Sequence, residues 1–563
     1  MKTTLYRHLR LWLGGLVLVL CAMVFADIAG WLPEGAPRVI LWFQFVPSLL
    51  SFSTGGGWLA AGFLLVVLLT VLFGRVYCAM LCPLGVLMDV SARVAGRTGR
   101  RRRLPYRPNR PVVRALAVAV CAVGLLAGTA VPLGLLDPYS LFGKIVATTL
   151  RPLAGWAHEG LSIAGLLPPA AVSPVAWGAA GLGLGALVVI TAMAVKRGRL
   201  WCNTACPVGA VLGLLSRKAR FRLRIAGDAC VACSMCARVC PAQCIDFRNF
   251  KIDHSRCVMC LECVASCRRN GISFRRELVK SAPSVPSAPA QSEKKQPASA
   301  TKPALPNAKR RAALGLALTL PVAALTARQQ EGSGGQQRRR GGHGEGEGRG
   351  EGRGEGRGEG HGEGRGEPCD HDLTQYNRPA VLPPGSGSLA HFQSHCTACQ
   401  LCVTHCPEQV LRPSICAHGL AGFMQPYQDF DVSFCSYNCS NCSEICPTGA
   451  IQPITVEQRQ LVQTGIAEFI RSRCVVKTDG TACGACSEHC PTQAVHMVPW
   501  RDGLTIPEMI PDLCIGCGGC EYICPVRPYK AIIVKGLATH AAAKPVERGG
   551  ANIEREMEDE FPF

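Results

Sequence analysis

Histidine is absent from every long apolar run of this chain, and the pattern Cys-x-x-Cys-His occurs nowhere in it. These absences exclude a bis-histidine haem inside a bilayer and covalent haem attachment. No phosphate-cradling loop, dinucleotide fingerprint or nucleophile–base pair is present, which removes nucleotide chemistry and hydrolysis from the candidates. Aromatic residues make up only 6%, although hydrophobic residues reach 48%. Charge is scarcest where the chain is most apolar: within the four long apolar runs only Asp27 is ionisable.

What is abundant is aliphatic length and sulfur. Four runs are long enough to span about 30 Å of hydrocarbon: Leu11 to Leu32, Gly57 to Gly74, Ala115 to Leu136 and Val175 to Val195. Their flanks are asymmetric. Lys2, Arg7 and Arg10 precede the first run, a stretch from Arg93 to Arg114 without any acidic residue joins the second to the third, and Lys196, Arg197 and Arg199 follow the fourth. The connections holding Gln44 and Asp137 are much poorer in positive charge. The positive-inside rule therefore puts both ends of this block at the cytoplasmic face. The formal charge of +21 is largely explained by these flanks. Apart from Tyr106, the basic run near Arg100 lacks interleaved aromatics, so no nucleic-acid partner is expected.

The sulfur is organised. Of 33 cysteines, 24 fall into six quartets. Cys230, Cys233, Cys236 and Cys240, then Cys257, Cys260, Cys263 and Cys267, follow Cys-x2-Cys-x2-Cys-x3-Cys. Three closely spaced thiolates wrap a cubane, and the fourth reaches the neighbouring cluster. The expected sets are thus Cys230, Cys233, Cys236 and Cys267 for one [4Fe–4S] cluster, and Cys257, Cys260, Cys263 and Cys240 for another. Arg268 stands where proline is usual. Four more quartets lie further along the chain: Cys396, Cys399, Cys402, Cys406; Cys435, Cys439, Cys442, Cys446; Cys474, Cys483, Cys486, Cys490; and Cys514, Cys517, Cys520, Cys524. The second and third of these have widened first gaps. Zinc prefers two separated pairs, and a disulfide scaffold would not repeat one spacing six times. Six [4Fe–4S] clusters are expected. Sequential and nested exchange of fourth ligands both fit the last four quartets.

A second sulfur pattern repeats: "GRVYCAMLCPLG" from Gly74 and "GRLWCNTACPVG" from Gly198. Each closes an apolar run with Cys-x3-Cys-Pro. If Cys78, Cys82, Cys202 and Cys206 converge, they form a redox relay or seventh metal site, expected to lie between the membrane and the Cys230 cluster; the alternative is two sharp Cys-Pro turns. Cys21 and Cys121 read as small apolar helix residues, and Cys244, Cys369 and Cys416 receive no role.

The domain plan is a four-span helical membrane domain (1–217), a two-cluster ferredoxin domain (218–278), a Pro/Ala/Ser linker (279–308), a twin-arginine-like signal or anchor (309–327), a Gly/Glu/Arg-rich tether (328–388), a four-cluster ferredoxin-like domain (389–540) and a tail (541–563). The fold class is α-helical membrane domain plus α+β ferredoxin-like modules, with 309–327 as a candidate fifth span. Arg310 and Arg311 before about sixteen apolar residues imply export of the chain beyond residue 327, either cleaved or anchored. A glycine-alternating tether has no side chains to build a core.

The helical block with its two Cys-x3-Cys-Pro motifs and two-cluster ferredoxin resembles the NapH family, the membrane quinol-dehydrogenase component of periplasmic nitrate reductase systems; methylamine utilisation systems have a similar component. "QFVPSLL" (Gln44 to Leu50) and "LDPYSLFG" (Leu136 to Gly143) are further family-like stretches. The region from Arg378 to Lys535, with its widened quartets, resembles the exported NapG family. The fusion of both in one chain is the departure. The resemblance implies a protein of the bacterial cytoplasmic membrane, with 1–308 on the membrane and cytoplasmic side and 328–563 periplasmic. It further implies quinol oxidation from the membrane quinone pool, with a periplasmic reductase or cytochrome as electron acceptor. Asp27, Gln44, Asp137 and Tyr139, near the outer face, are candidates for the quinol site. Because clusters flank about 30 Å of hydrocarbon, a lipid-soluble quinol is expected to serve the gap. The alternative function is a maturation or redox-regulatory ferredoxin that supplies electrons to another metalloenzyme.

Overall fold

The computed structural model describes residues 2–276, apart from 28–31, 34, 56–60, 98–105, 167, 169–175 and 228, and residues 378–545 apart from 416. The linker, the signal-like segment with Arg310 and Arg311, most of the tether, most of the tail, Cys369 and Cys416 lie outside the described residues.

The helical block is built from α1 (Lys2–Ala26), α2 (Ala36–Trp42), α3 (Phe45–Ser53), α4 (Gly62–Phe73), α5 (Tyr77–Met80), α6 (Pro83–Arg97), α7 (Pro111–Leu126), α8 (Val131–Leu136), α9 (Pro138–Ile145), α10 (Arg151–Ile163), α11 (Trp177–Arg197), α12 (Leu200–Thr204) and α13 (Pro207–Ser216). A π-helical turn over Val146–Leu150 joins α9 to α10. Two helices, Leu5–Ala26 within α1 and α11, are long and apolar enough to cross a membrane. α4 and α7 are apolar but shorter: their 12 and 16 residues reach only about 18 and 24 Å at the helical rise. Glycine follows each at its C-terminal end. Gly74 (φ 80°) ends α4, and Gly128 (φ 77°) turns the chain after α7, a conformation that costs glycine little.

Beyond α13 the chain forms two short antiparallel ladders, β1 (Phe221–Ile225) with β4 (Ile272–Arg276) and β2 (Ile245–Asp246) with β3 (Lys251–Ile252), and two helical turns, α14 (Met235–Val239) and α15 (Glu262–Ser266). Phe221 stacks between Phe73 and Phe274, with ring centroids 5.4 and 5.8 Å apart, and so fastens this sheet to the end of α4. The C-terminal module repeats the scheme on a larger scale. β5 (Leu411–Pro413) pairs with β6 (Pro426–Gln428), β7 (Val462–Phe469) with β10 (Ile532–Ala542), and β8 (Val495–Pro499) with β9 (Thr505–Met509). It begins earlier than the expected residue 389. Arg378 pairs with buried Glu521 at 2.6 Å, and the Pro379 carbonyl accepts from Gly536 N at 3.0 Å.

Both cysteine modules pack on the helical block. At one end of α1, Arg10 donates to Glu262 at 3.0 Å, while Arg199 N donates to the Pro241 carbonyl at 3.0 Å. At the other end, Ala130 N donates to the Gln393 carbonyl at 2.9 Å, Arg38 to that of Glu444 at 2.9 Å, Thr129 to that of Ala421 at 2.7 Å and Arg151 to that of Thr404 at 2.9 Å.

Candidate functional site

The regular quartets share one local conformation. The residues on either side of the second cysteine are left-handed: Ala232 and Ser234, Met259 and Leu261, Ala398 and Gln400, and Gly516 and Gly518. Non-glycine residues pay of order 1–2 kcal/mol for this, and the return is a loop that curls three thiols toward one point. The thiols then sort into groups. Cys236 lies within electrostatic reach of Cys230, Cys233 and Cys267, and Cys263 within reach of Cys260, Cys257 and Cys240. These are the two sets expected from spacing. In the C-terminal module Cys402 faces Cys396, Cys399 and Cys446; Cys442 faces Cys435, Cys406 and Cys439. Cys486 faces Cys483, Cys474 and Cys524, and Cys520 faces Cys517, Cys514 and Cys490. The fourth cysteine of each quartet therefore lies with the first three of its sequential partner, not of a nested one.

The groups are open cages. Cys240, Cys257, Cys260 and Cys263 line one cavity, and Cys490, Cys514, Cys517 and Cys520 line another. The remaining walls are largely aliphatic, which fits a sulfur-ligated inorganic group. Cys244 was missed in the sequence. It is buried in the first cavity with Sγ 3.6 Å from that of Cys240; its four-residue offset from Cys240 was the available signal.

The two Cys-x3-Cys-Pro repeats meet as mirror halves. Cys82 precedes Pro83 at the start of α6, and its sulfur accepts from Gly85 N at 3.4 Å; Cys206 caps α13 and accepts from Gly209 N at 3.2 Å. Proline at the first helical position is preset for this turn. The glycine permits a crossing: a Cβ on Gly85 would lie 2.6 Å from the Cys78 carbonyl oxygen, and one on Gly209 would lie 2.2 Å from that of Cys202. The preceding Gly-Arg pairs are exchanged. Arg75 donates to the Cys202 carbonyl at 3.0 Å, and Arg199 donates to that of Cys78. Cys206 has Cys202, Cys78 and Cys82 as electrostatic neighbours, so all four thiols converge. Arg199 is balanced by Asp89 at 2.8 Å. Arg75 is fully buried and bonds Asn203 Oδ1 at 2.9 Å and the Ser255 carbonyl at 3.1 Å, with Cys78 Sγ at 3.7 Å. Among the described residues it has no carboxylate partner, so the counter-charge must come from sulfur. It is Cys260, not Cys230, that shares the hydrophobic core with these thiols; Cys233 is exposed.

Of the four quinol-site candidates, Asp27 accepts from Leu32 N at 3.4 Å. Gln44 is buried and accepts from Tyr77 Oη at 3.1 Å while donating to the Leu81 carbonyl at 3.3 Å. Asp137 caps α9, and one oxygen accepts from Ser140 N at 2.8 Å and Ser140 Oγ at 2.9 Å; the other is buried without a partner. Burial pushes this carboxyl, outside the spanning runs, up to about 6, against the hydrogen bonds of Ser140 and the charge of Lys144. The Tyr139 hydroxyl is buried, lacks a well-formed hydrogen bond and faces the Cys399 thiol. Tyr77, within electrostatic reach of both Cys82 and Asp137, is the residue that sequence reading passed over. Its place as the aromatic before Cys78 was the signal. The family-like stretch "LDPYSLFG" gains a physical reason: a Cβ on Gly143 would lie 2.5 Å from the Cys399 carbonyl oxygen, and one on Gly134 would lie 2.4 Å from that of Thr397.

Comparison with known proteins gives a consistent result. A family model described as "4Fe-4S binding domain" matches residues 54–103 and 178–226, one match on each Cys-x3-Cys-Pro repeat, and one described as "4Fe-4S dicluster domain" matches 481–527. The ferredoxin-type protein NapF of Escherichia coli K12 is 29% identical over 27% of this chain and 84% of its own length. The ferredoxin-type protein NapG of the same organism is 27% identical over 26% of this chain and 65% of its own. The methylamine utilization ferredoxin-type protein MauN of Paracoccus denitrificans is 29% identical over 35% of this chain and 60% of its own. No solved structure matches. This chain is thus an iron–sulfur electron-transfer protein related to the Nap and Mau ferredoxin-type proteins, with 4Fe–4S binding domains in its helical block and its C-terminal module.

Proposed function

We propose that this chain is a membrane-bound quinol dehydrogenase that delivers electrons to an acceptor beyond its exported C-terminal module. The observation that carries this reading is a buried Asp137 oxygen without a hydrogen-bond partner, two residues from Tyr139, whose buried hydroxyl faces the Cys399 thiol. Oxidation of a quinol releases two protons as well as two electrons, so a site for it needs a buried acceptor of protons next to an acceptor of electrons. The Asp137 carboxylate, fixed by Ser140, takes a proton from one quinol hydroxyl and passes it to water before it takes the second, while the two electrons leave singly to the clusters. The Tyr139 hydroxyl orients the ring by hydrogen bonding. Lys144, buried and held to the Gly134 carbonyl at 3.1 Å, offsets the negative charge that Asp137 carries before it takes the proton.

Six cages of cysteines, in the pairings given above, would hold six [4Fe–4S] groups, which supply one-electron oxidation and reduction when bound. The protein's own contribution is to desolvate them, to fix the loops and to place positive charge nearby. Arg459 is fully buried with a nitrogen 3.2 Å from Cys435 Sγ and Cys517 also among its electrostatic neighbours. The exit proposed is the Cys474 group, where Arg471 lies over the Trp500 ring at 5.1 Å. Exposed Arg471, Lys477 and Arg501 suit an acidic face on a periplasmic reductase or cytochrome. Lys/Arg asymmetry supports a cytoplasmic face for the Cys230 end and a periplasmic face for the Cys396 end.

The test is stopped-flow reduction of the intact protein in liposomes by menaquinol, followed at the visible cluster absorbance. Reduction without any added partner, slowed at least tenfold by D137N, is expected. No reduction by quinol in the wild type overturns the reading.

A further inference from the structure

The two cysteine modules lie at opposite ends of α1, and the space between them is not plain hydrocarbon. Along α1, Arg10 marks the first module through Glu262 and Phe25 marks the second, lying against Gly143 beside Cys399. Gly14 falls between them and packs on Val86 and the Ala79 carbonyl of the first Cys-x3-Cys-Pro repeat. At the helical rise the steps from Arg10 to Gly14 and from Gly14 to Phe25 are about 6 and 16 Å. One continuous core contains Cys260, the four repeat cysteines, Tyr77 and Tyr139, and Cys399 packs against it. The stretch between the repeat thiols and Cys399 is filled by Tyr77, bonded to Gln44, and by Asp137 and Tyr139. An electron going from Cys260 to Cys399 would otherwise face the whole span in one hop; a centre at the repeats divides it.

We propose that Cys78, Cys82, Cys202 and Cys206 hold a seventh metal–sulfur centre that joins the two modules, so that this chain conducts electrons from one face of the helical block to the other without a mobile carrier. This rests on the membrane-spanning reading of the block and adds to quinol oxidation a second entry for electrons, from a soluble reductant on the Cys230 side. Three features of the site suit an anionic sulfur-rich centre: four converging thiols, two backbone N–H groups aimed at Cys82 and Cys206 sulfur, and the buried charge of Arg75 with no carboxylate against it. The aromatic side chains of Tyr77 and Tyr139 line the longer step.

The experiment uses the full chain in sealed, quinone-free proteoliposomes with ferric cytochrome c trapped inside and dithionite outside. Each dithionite, with two waters, breaks its S–S bond, gives two electrons and leaves as two hydrogensulfite ions and two protons; each trapped cytochrome takes one electron. Potassium with valinomycin balances the transferred charge. The readout is cytochrome reduction at 550 nm, and it holds for either insertion direction. Wild type is expected to reduce the trapped cytochrome at least tenfold faster than protein-free vesicles. The C78S/C202S and C82S/C206S variants are expected to lose that rate and one cubane's iron, about four atoms per chain, while keeping the spectra of the other clusters. Unchanged rate and iron in both variants, or no rate above protein-free vesicles in the wild type, overturns the proposal. Adding menaquinol to the same vesicles reads the quinol site separately, since its reduction of the clusters needs no crossing.

Discussion

Asp137 shows how a single side chain couples folding to chemistry. It starts α9 by capping Ser140 and keeps one oxygen free in a buried place. With its carboxyl pushed by burial up to about 6, the base is ionised above that pH and protonated below it. Quinol oxidation should therefore rise with pH through about 6, and D137N should abolish that inflexion along with most of the rate, as removal of a general base costs about 10²–10⁴. A pH–rate profile of both proteins checks this. Cys244 makes a different prediction. Because its sulfur sits 3.6 Å from that of Cys240 in the same cavity, C240S should retain most of the cluster iron through Cys244, and C240S/C244S should lose it. Iron content and low-temperature electron paramagnetic resonance of the two variants decide. The quartet cysteines were legible from spacing alone. Tyr77 and Cys244 were not, because their neighbours are distant in sequence or belong to a cage already complete by count.

At the scale of elements, the Cys-Pro-x-Gly stretch is a helix start whose cap is a sulfur. Each of its residues has a separate reason: the thiol accepts the glycine N–H, proline presets the turn, and glycine makes room for the carbonyl of the first cysteine of the same repeat. G209A should displace the Cys202 carbonyl, since the added Cβ would sit 2.2 Å from that oxygen. A destabilisation of about 1–3 kcal/mol is expected from such overpacking, read as a lower thermal midpoint. The same substitution at exposed Gly181, where a Cβ meets nothing within 4 Å, should be neutral. Apolar runs announced the long helices α1 and α11. A hydropathy window counts residues and cannot see where glycine at positive φ turns the backbone, as Gly128 does between α7 and α8 inside the third run.

For the whole molecule, the consequence of fusing both modules to one helical block is docking within the chain. Gly134 and Gly143 present bare backbone to Thr397 and Cys399. G143A should push the Cys396 loop off α9, leave the iron content unchanged and slow quinol reduction of the clusters; comparison of iron analysis with stopped-flow rates tests it. Iron counting of the intact protein gives the broadest check: seven cubanes predict about 28 atoms per chain and six about 24.

Sequence by itself determined the chemistry, because sulfur spacing dictates what the thiols can hold and the length of an apolar run dictates what can enter a membrane. It left open which quartets exchange ligands and whether the two Cys-x3-Cys-Pro repeats meet. Tertiary structure decided both. The fourth cysteine of each cage comes from a loop that only the fold brings beside it, and the repeats meet only when their Gly-Arg arginines cross. It also replaced an expected empty span of hydrocarbon with a core of buried thiols and tyrosines, since residues more than a hundred positions apart share it only after the chain has folded.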